Sequence, residues 1–303
     1  MISVILPIRN EKKFIRATLD SIIQQDVKEA TEILVADGMS TDGTREIIQE
    51  YHSKNPSIIL LDNPEKIVSI GFNRALSIAK GNVIIRIDGH AIMKPSYIGQ
   101  CLKVLEKTGA DCVGGPILNS SNGIVGESIN IAQSSKFGVG GVTFREKIIK
   151  GEFVDTLAFG AYNRDVFNKL GGYDQELIRN QDDEFNFRLI QSGGRIWLDP
   201  SIQSLYYPRT SLLKLFNQYY QYGFFKIRVI QKRKGLASFR HVIPFIFILS
   251  LLSSFFYYFI YQDEIPFLTI SLSYTFLSLS ASFYQFIRNL NNWKSALILP
   301  LVY

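Results

Sequence analysis

Apolar positions in the first 115 residues fall in short β-branched runs separated by stretches of helical period, which predicts a parallel sheet covered by helices. ISVILP reads as a strand. After it, Phe14, Ile15, Leu19, Ile22 and Ile23 recur at helical spacing, with Asn10 available as the cap. EILVAD, SIILLD and VIIRID read as three further strands and DCVGG as a fifth. The helices between them are predicted to run through Tyr51, from about Val68 to Lys80, and from about Pro95 to Lys107.

From Asn119 to Gly151 the pattern weakens into Ser, Gly and Asn, which predicts a loop. Regularity then returns. VFNKLGGYD reads as a helix stopped by glycine, NQDDEFNFRLIQSGG as a helix capped by Asn180 and ending before Gly193, and RIWLDP as a strand. The segment TSLLKLFNQYYQYGFFKIRVIQKRK interleaves aromatic and basic residues, the composition of a helix lying at a membrane interface.

The character changes again at Val242. Residues 242–261 and 266–287 carry no charged side chain, and about 20 helical residues cover the ~30 Å hydrocarbon core of a bilayer. Buried helices of a soluble core are the competing reading, against which stand two consecutive runs of this length. A third apolar stretch, SALILPLVY, is shorter and reads as an incomplete span. The 303 residues thus divide by expectation into a catalytic domain, 1–235, that includes the interfacial helix, and a membrane region, 236–303.

Charge adds an orientation to this picture. Lys226, Arg228, Lys232, Arg233, Lys234 and Arg240 precede the first span, Asp263 and Glu264 lie between the spans, and Arg288 and Lys294 follow the second. The positive-inside rule then predicts a multi-pass protein of the cell membrane whose large N-terminal part is cytoplasmic. MISVILPIRNEKKF has no basic n-region, so no signal peptide is expected there. The net charge of +6 gathers ahead of the first span, which favours anionic lipid headgroups as partners; no nucleic-acid module is present and none is expected to bind. Cys101 and Cys112 lack metal-ligand spacing and read as free thiols of a reducing compartment.

Candidate chemistry sits at the carboxyl ends of the predicted strands, where parallel sheets bind ligands. Pro7 to Glu11 follow the first strand, Asp37 closes the second and Asp88 the fourth. Asp88 and His90, two residues apart at a strand end, can reach one divalent cation against a departing diphosphate, and the mixed oxygen and nitrogen donors suit Mn²⁺ better than Mg²⁺. Alone, the pair reads equally as a turn former with a surface imidazole. Gln181, Asp182, Asp183 and Glu184 open a helix. There they can complement its dipole, or supply a general base whose pKa like-charge crowding raises and the helix N-terminus lowers.

Taken in order, ISVILPIRNE, ILVADGMSTDGT, IIRIDGHA, VGGP, AQSSKFGVGG, FVDT, GAYNRDVF, GGYDQEL, NQDDEFNFRL, IWLDP and YYPR resemble family-2 glycosyltransferases of the succinoglycan-biosynthesis type over roughly residues 1–235. The resemblance implies a GT-A fold, α/β with a mostly parallel central sheet. It implies an inverting transferase with a nucleotide-diphosphate sugar donor, expected to be a UDP-sugar, and a divalent cation, Mn²⁺ or Mg²⁺. The acceptor would be lipid-linked or a polysaccharide, in extracellular polysaccharide biosynthesis. By the same resemblance Pro7, Arg9, Glu11 and Asp37 look like nucleotide-binding positions. Asp88 matches the first acid of the DxD motif, with His90 in place of the second. Asp182 matches the catalytic acid of the Glu-Asp pair, with Gln181 for Glu. Gln218, Gln221 and Tyr222 are similar to the QxxRW element on the acceptor or product side, with Gln for Arg and Tyr for Trp.

Two other classes share parts of this pattern. Sugar-nucleotide pyrophosphorylases begin with a similar α/β pattern, but their Gly-rich loop is absent from ILPIRNE. A catalytically impaired membrane scaffold is the alternative suggested by the altered motifs, and the joint presence of Asp37, Asp88 and Asp182 argues against it.

Overall fold

The computed structural model describes residues 1–119, 123–139, 144, 148–207, 211–235, 242–288 and 293–303. Parts of the expected Asn119–Gly151 loop, Pro208 and Arg209 of the YYPR match, and Arg240 lie outside the described residues. The chain divides into two compact units: Met1–Asn119, Thr143–Tyr207 and Gln221–Phe225 form the first, and Ser120–Val142, Pro208–Tyr220 and Lys226–Tyr303 the second.

In the first unit, β1 (Ile2–Ile8), β2 (Thr31–Asp37), β3 (Ile58–Asp62) and β4 (Val83–Arg86) form parallel strands in the order β3-β2-β1-β4. Helices α1 (Ile15–Ile23), α2 (Thr44–Lys54) and α3 (Val68–Ile78) connect them. Every residue of β1 is buried, which is why its sequence is a continuous apolar run instead of an alternating one. The strand order reverses between β1 and β4, and at such a switch point the loops diverge and leave a crevice beyond the carboxyl ends.

After β4 come β5 (Ala91–Met93), α4 (Tyr97–Thr108), β6 (Cys112–Gly114) and β7 (Ile117–Asn119). DCVGG is therefore the sixth strand, because the three-residue β5 intervenes. The second unit's α5 (Ile124–Gln133) and α6 (Lys136–Val139) follow, and then β8 (Glu152–Val154), β9 (Ala161–Asn163), α7 (Arg164–Leu170), α8 (Gln181–Gln191), β10 (Ile196–Leu198) and β11 (Ser204–Tyr206). Strand β9 lies antiparallel between β4 and β6 and extends the sheet to eight strands, while β5, β11 and β7 form a separate three-stranded sheet.

Two apolar layers cover the sheet. Ile85 and Ile87 enter the layer with Leu6, Ile15, Leu19 and Ile98, whereas Ile84 enters the layer with Phe72, Tyr162, Phe167, Tyr173 and Phe185. The aromatic rings of the second layer interlock, with Phe167 stacked on Phe185 at 4.8 Å and Phe72 on Tyr173 at 4.1 Å. Loss of a fully buried phenylalanine such as Phe185 costs about 3–5 kcal/mol. This packing, with the Tyr162 hydroxyl donating to Asn186 at 2.8 Å, fixes α8 on the sheet.

Three local expectations are corrected. Asn10 does not cap α1: it adopts a left-handed backbone (φ 56°), its side-chain oxygen accepts from the Thr41 amide, and Phe14 holds the cap position. Ile23, one of the apolar positions at helical spacing, is exposed, and the buried face of α1 is Ile15, Thr18, Leu19 and Ile22. Residues 124–133, read as loop, are the helix α5.

In the second unit, α10 (Ile243–Tyr261) and α11 (Ile265–Arg288) are each long and apolar enough to cross a membrane. Only 6% and 11% of their most apolar windows are buried, which sets them apart from core helices of a soluble domain. Helix α12 (Trp293–Val302) packs on α5 through Ala132, Ala296 and Leu299. The Ser128 hydroxyl donates to the Ser295 carbonyl at 2.6 Å, and that of Ser295 to Glu127 at 2.9 Å.

Candidate active site

The crevice at the switch point is framed by loops that bind one another. After β1, the Glu11 amide donates to Thr44 Oγ1 at 2.9 Å, and that of Lys12 to Asp42 at 3.1 Å, clamping this loop to the one after β2. Pro7 is buried inside β1 and Arg9 is exposed at its end. Asp37 is fully buried: it accepts from the Ser40 hydroxyl, from the Ser40 amide at 2.9 Å and from Arg45 Nη1 at 2.7 Å. Arg45 in turn reaches Asp62 at 2.6 Å. The carboxylate of Asp37 therefore holds the β2 loop from within.

Beyond β4, the chain turns through Asp88 and Gly89 to His90. A side chain at Gly89 would meet Glu11 Cγ and Ile8 Cγ2 at 2.8 Å, so glycine lets Glu11 lie against this turn. Glu11 Oε1 is 2.8 Å from His90 Nδ1, and the His90 ring also packs on Tyr206 at 4.9 Å. Through Glu11 and His90 the ends of β1 and β4 are thus joined.

A residue passed over in the sequence joins the rest. Arg86 occupies the last position of β4, and alternation along the strand places it on the Ile84 side, facing α8. Its Nη2 donates to Asp88 Oδ1 at 2.9 Å and its Nη1 to Asp182 Oδ2 at 2.7 Å. The Arg86 side chain is 8% exposed, against 27% for Asp88 and 33% for Asp182, so the cation is inside and both carboxylates retain an open side. The signal was present: an arginine inside the apolar strand VIIRID has to be paired if it is buried.

Asp182, Asp183 and Glu184 separate clearly. Glu184 is fully buried and accepts from Arg188 Nε at 2.7 Å and Nη2 at 3.1 Å, a structural pair within α8. Of the three acids, Asp182 is the one bonded to the arginine that also holds Asp88. Its Oδ1 accepts from the Asp183 amide at 2.9 Å. Asn180 occupies the cap position in a left-handed conformation (φ 60°), but its side chain does not cap the helix as expected; Nδ2 donates to the Tyr222 carbonyl at 2.9 Å.

The expected balance at this group, acidic crowding raising its pKa against the helix N-terminus lowering it, gives way to one between burial and Arg86. Burial pushes the Asp182 carboxyl up, but the Arg86 guanidinium, through its charge and its hydrogen bond, outweighs burial and holds the group below the ordinary carboxylate range. Asp182 is accordingly ionised at neutral pH.

Gln221 lies on α9 (Leu212–Arg233) and accepts from Arg179 Nε at 2.9 Å, just ahead of α8. Gln218, on the same helix, falls in the second unit. No group of three or more His, Cys, Asp or Glu side chains able to hold a metal occurs among the described residues. Asp88 and His90 nevertheless offer a carboxylate and an imidazole on one turn, donors that fit a divalent cation whose other ligands come from phosphate oxygens and water.

A parallel sheet with this switch point, an antiparallel strand beside β4 and an acidic turn behind it is the GT-A fold of nucleotide-diphospho-sugar transferases. Residues 3–171 match glycosyl transferase family 2, and the chain belongs to that family. The succinoglycan biosynthesis protein ExoA of Rhizobium meliloti is 31% identical over 243 residues, covering 80% of this chain and 73% of its own. A dolichyl N-acetyl-alpha-D-glucosaminyl phosphate 3-beta-D-2,3-diacetamido-2,3-dideoxy-beta-D-glucuronosyltransferase of Methanococcus voltae is 31% identical over 261 residues, 83% of this chain and 80% of that one. Among solved structures, the mannosyltransferase PcManGT of Pyrobaculum calidifontis, in complex with GDP-Man and Mn²⁺, superposes with a TM-score of 0.64 at 18% identity, covering 99% and 86%. S. aureus TarS with UDP-GlcNAc gives 0.56 at 19% identity; that match covers 69% of this chain and 59% of TarS. At these identities the structural matches speak to the fold.

Proposed function

We propose that this glycosyltransferase moves a sugar, with inversion, from a nucleotide-diphosphate donor to a lipid-linked or polysaccharide acceptor during extracellular polysaccharide or related glycan assembly. The observation that carries the reading is the convergence of Asp88, from the turn after β4, and Asp182, from the first turn of α8, on one buried arginine at the switch point. The names of the relatives support the substrate class: one acts in succinoglycan biosynthesis and one on a dolichyl-linked acceptor, and the fold neighbours hold UDP-GlcNAc or GDP-Man.

In this mechanism Pro7, Arg9, Glu11 and Asp37 shape the nucleotide side, Asp37 by holding the β2 loop. Asp182 accepts the proton of the acceptor hydroxyl while that oxygen bonds to the anomeric carbon from the face opposite the leaving diphosphate. Asp88 and His90 would hold a divalent cation, Mn²⁺ or Mg²⁺, whose charge offsets the negative charge gained by the departing nucleoside diphosphate. Gln218 and Gln221 on α9 belong to the acceptor or product side. A catalytically impaired scaffold, suggested by the altered motifs, has no need of a carboxylate kept open on the same arginine as Asp88.

A panel of UDP-, GDP- and dTDP-sugars, followed by nucleoside diphosphate release with host membranes as acceptor, tests the proposal. One donor should support release that chelator stops. Absence of release from every donor would leave the scaffold reading standing.

We place the chain in the cell membrane through α10 and α11, as a multi-pass protein with the catalytic domain, 1–235, and the segment from Arg288 to Lys294 on the cytoplasmic side. Because Cys101 and Cys112 are buried, single cysteines at 263 and 294 can be labelled against low background. An impermeant thiol reagent added outside intact cells should label Asp263→Cys and spare Lys294→Cys. The reverse pattern would invert the topology.

A further inference from the structure

The guanidinium of Arg86 forms side-chain hydrogen bonds only to Asp88 and Asp182 among the described residues; its Nε is buried without a partner. A buried arginine that leaves one donor unsatisfied while giving both Nη groups to two carboxylates from different elements is positioned by those carboxylates and positions them in return. The residues joined are 96 positions apart in one case and two in the other. The charges do not balance: one guanidinium faces two carboxylates, leaving one negative charge to attract a cation at the open side.

We propose that Arg86 is a positioning residue that couples the two halves of the reaction, orienting Asp182 for the acceptor while restraining Asp88 from binding the donor's cation too tightly. The inference rests on the roles assigned to Asp182 and Asp88 above. Asp182 Oδ2 is pinned by Arg86 and Oδ1 by the Asp183 amide, so only the lone pairs directed at the crevice remain for a substrate hydroxyl. Asp88 Oδ1 is held by the other arm of the same fork, leaving Oδ2 as the oxygen offered to a ligand. A planar fork can span two carboxylates with fixed geometry, which a lysine ammonium on a flexible stem cannot reproduce.

The two functions predict effects of opposite sign. Arg86→Gln removes a positive charge beside the cation position, so Mn²⁺ should bind roughly tenfold more tightly in the presence of UDP. Turnover should fall on the order of 10²-fold, because the base loses its orientation. Arg86→Lys keeps the charge and loses the fork: Mn²⁺ affinity should stay near wild type while turnover falls nearly as far. The full-length protein in detergent is titrated with Mn²⁺ in the presence of UDP, and turnover is measured with the donor found by the panel above.

A merely structural arginine would weaken Mn²⁺ binding and turnover together, and that result overturns the proposal, as does wild-type turnover in either variant. Should Arg86→Gln fail to fold, Arg86→Lys decides: turnover restored to wild type by charge alone refutes the positioning role. Failure of the underlying reading shows elsewhere, in an Asp182→Asn variant that retains its turnover.

Discussion

Asp182→Asn is expected to lower kcat by about 10² to 10⁴ while leaving donor affinity within a few-fold of wild type. The amide is isosteric but keeps one acceptor oxygen, enough for the Arg86 contact and not for the Asp183 amide as well, while the packing of Phe185 and Leu189 still holds α8 in place. Asp183→Asn should cost far less, through a weakened helix start. Glu184→Gln breaks the buried pair with Arg188 and should appear as lost stability before lost chemistry. Donor titration together with single-turnover rates separates these cases. Near wild-type turnover in Asp182→Asn, with a collapse in Asp183→Asn, would reassign the base.

A pH profile extends the argument. Because Arg86 holds the Asp182 carboxyl below the ordinary range, the base is lost only as pH falls through that lowered value. The rate should therefore show no loss of this group between about pH 8 and pH 5, against a usual aspartate value of about 3.9. A base limb near neutrality would contradict the Arg86 contact.

The second large effect is expected at the donor. Asp88→Ala should abolish nearly all cation-dependent transfer, since it removes the carboxylate proposed to hold the cation and leaves Arg86 with Asp182 alone. His90→Asp replaces a nitrogen donor by oxygen and breaks the contact to Glu11 at 2.8 Å. It should keep part of the activity and shift the preference from Mn²⁺ towards Mg²⁺. Turnover measured against each cation after chelator treatment reads both variants, and activity indifferent to chelator would remove the cation from the account.

Legibility of these features in the sequence depended on how local their causes are. Strands β1, β2 and β3 are apolar runs long enough to announce themselves, and Asp37 follows from where β2 ends; Asp88, expected to close the fourth strand, lies two residues past the end of β4 at Arg86. Strands β5, β7 and β11, three residues each, exist because they pair with one another, which no local pattern encodes. Helix α5 carries apolar residues at helical spacing among Ser, Gly and Asn, but its partner α12 lies 167 residues away at the Ser128–Ser295 contact. Asp182 was visible as an acid in the first turn of a helix. Its lowered pKa was not, because the cause is an arginine on another element; VIIRID shows that Arg86 needs a partner if buried, but nothing local to it names Asp182, 96 positions away.

The central claim is sugar transfer at the Asp88–Arg86–Asp182 edge, and incorporation of labelled sugar into the host's lipid or polysaccharide fraction tests it most directly. Wild-type protein with its donor and cation should move label into that fraction, with the anomeric configuration of the product opposite to that of the donor, and Asp182→Asn should move about 1% as much or less. Label that remains in the donor, or a product with the donor's own configuration, would contradict the account.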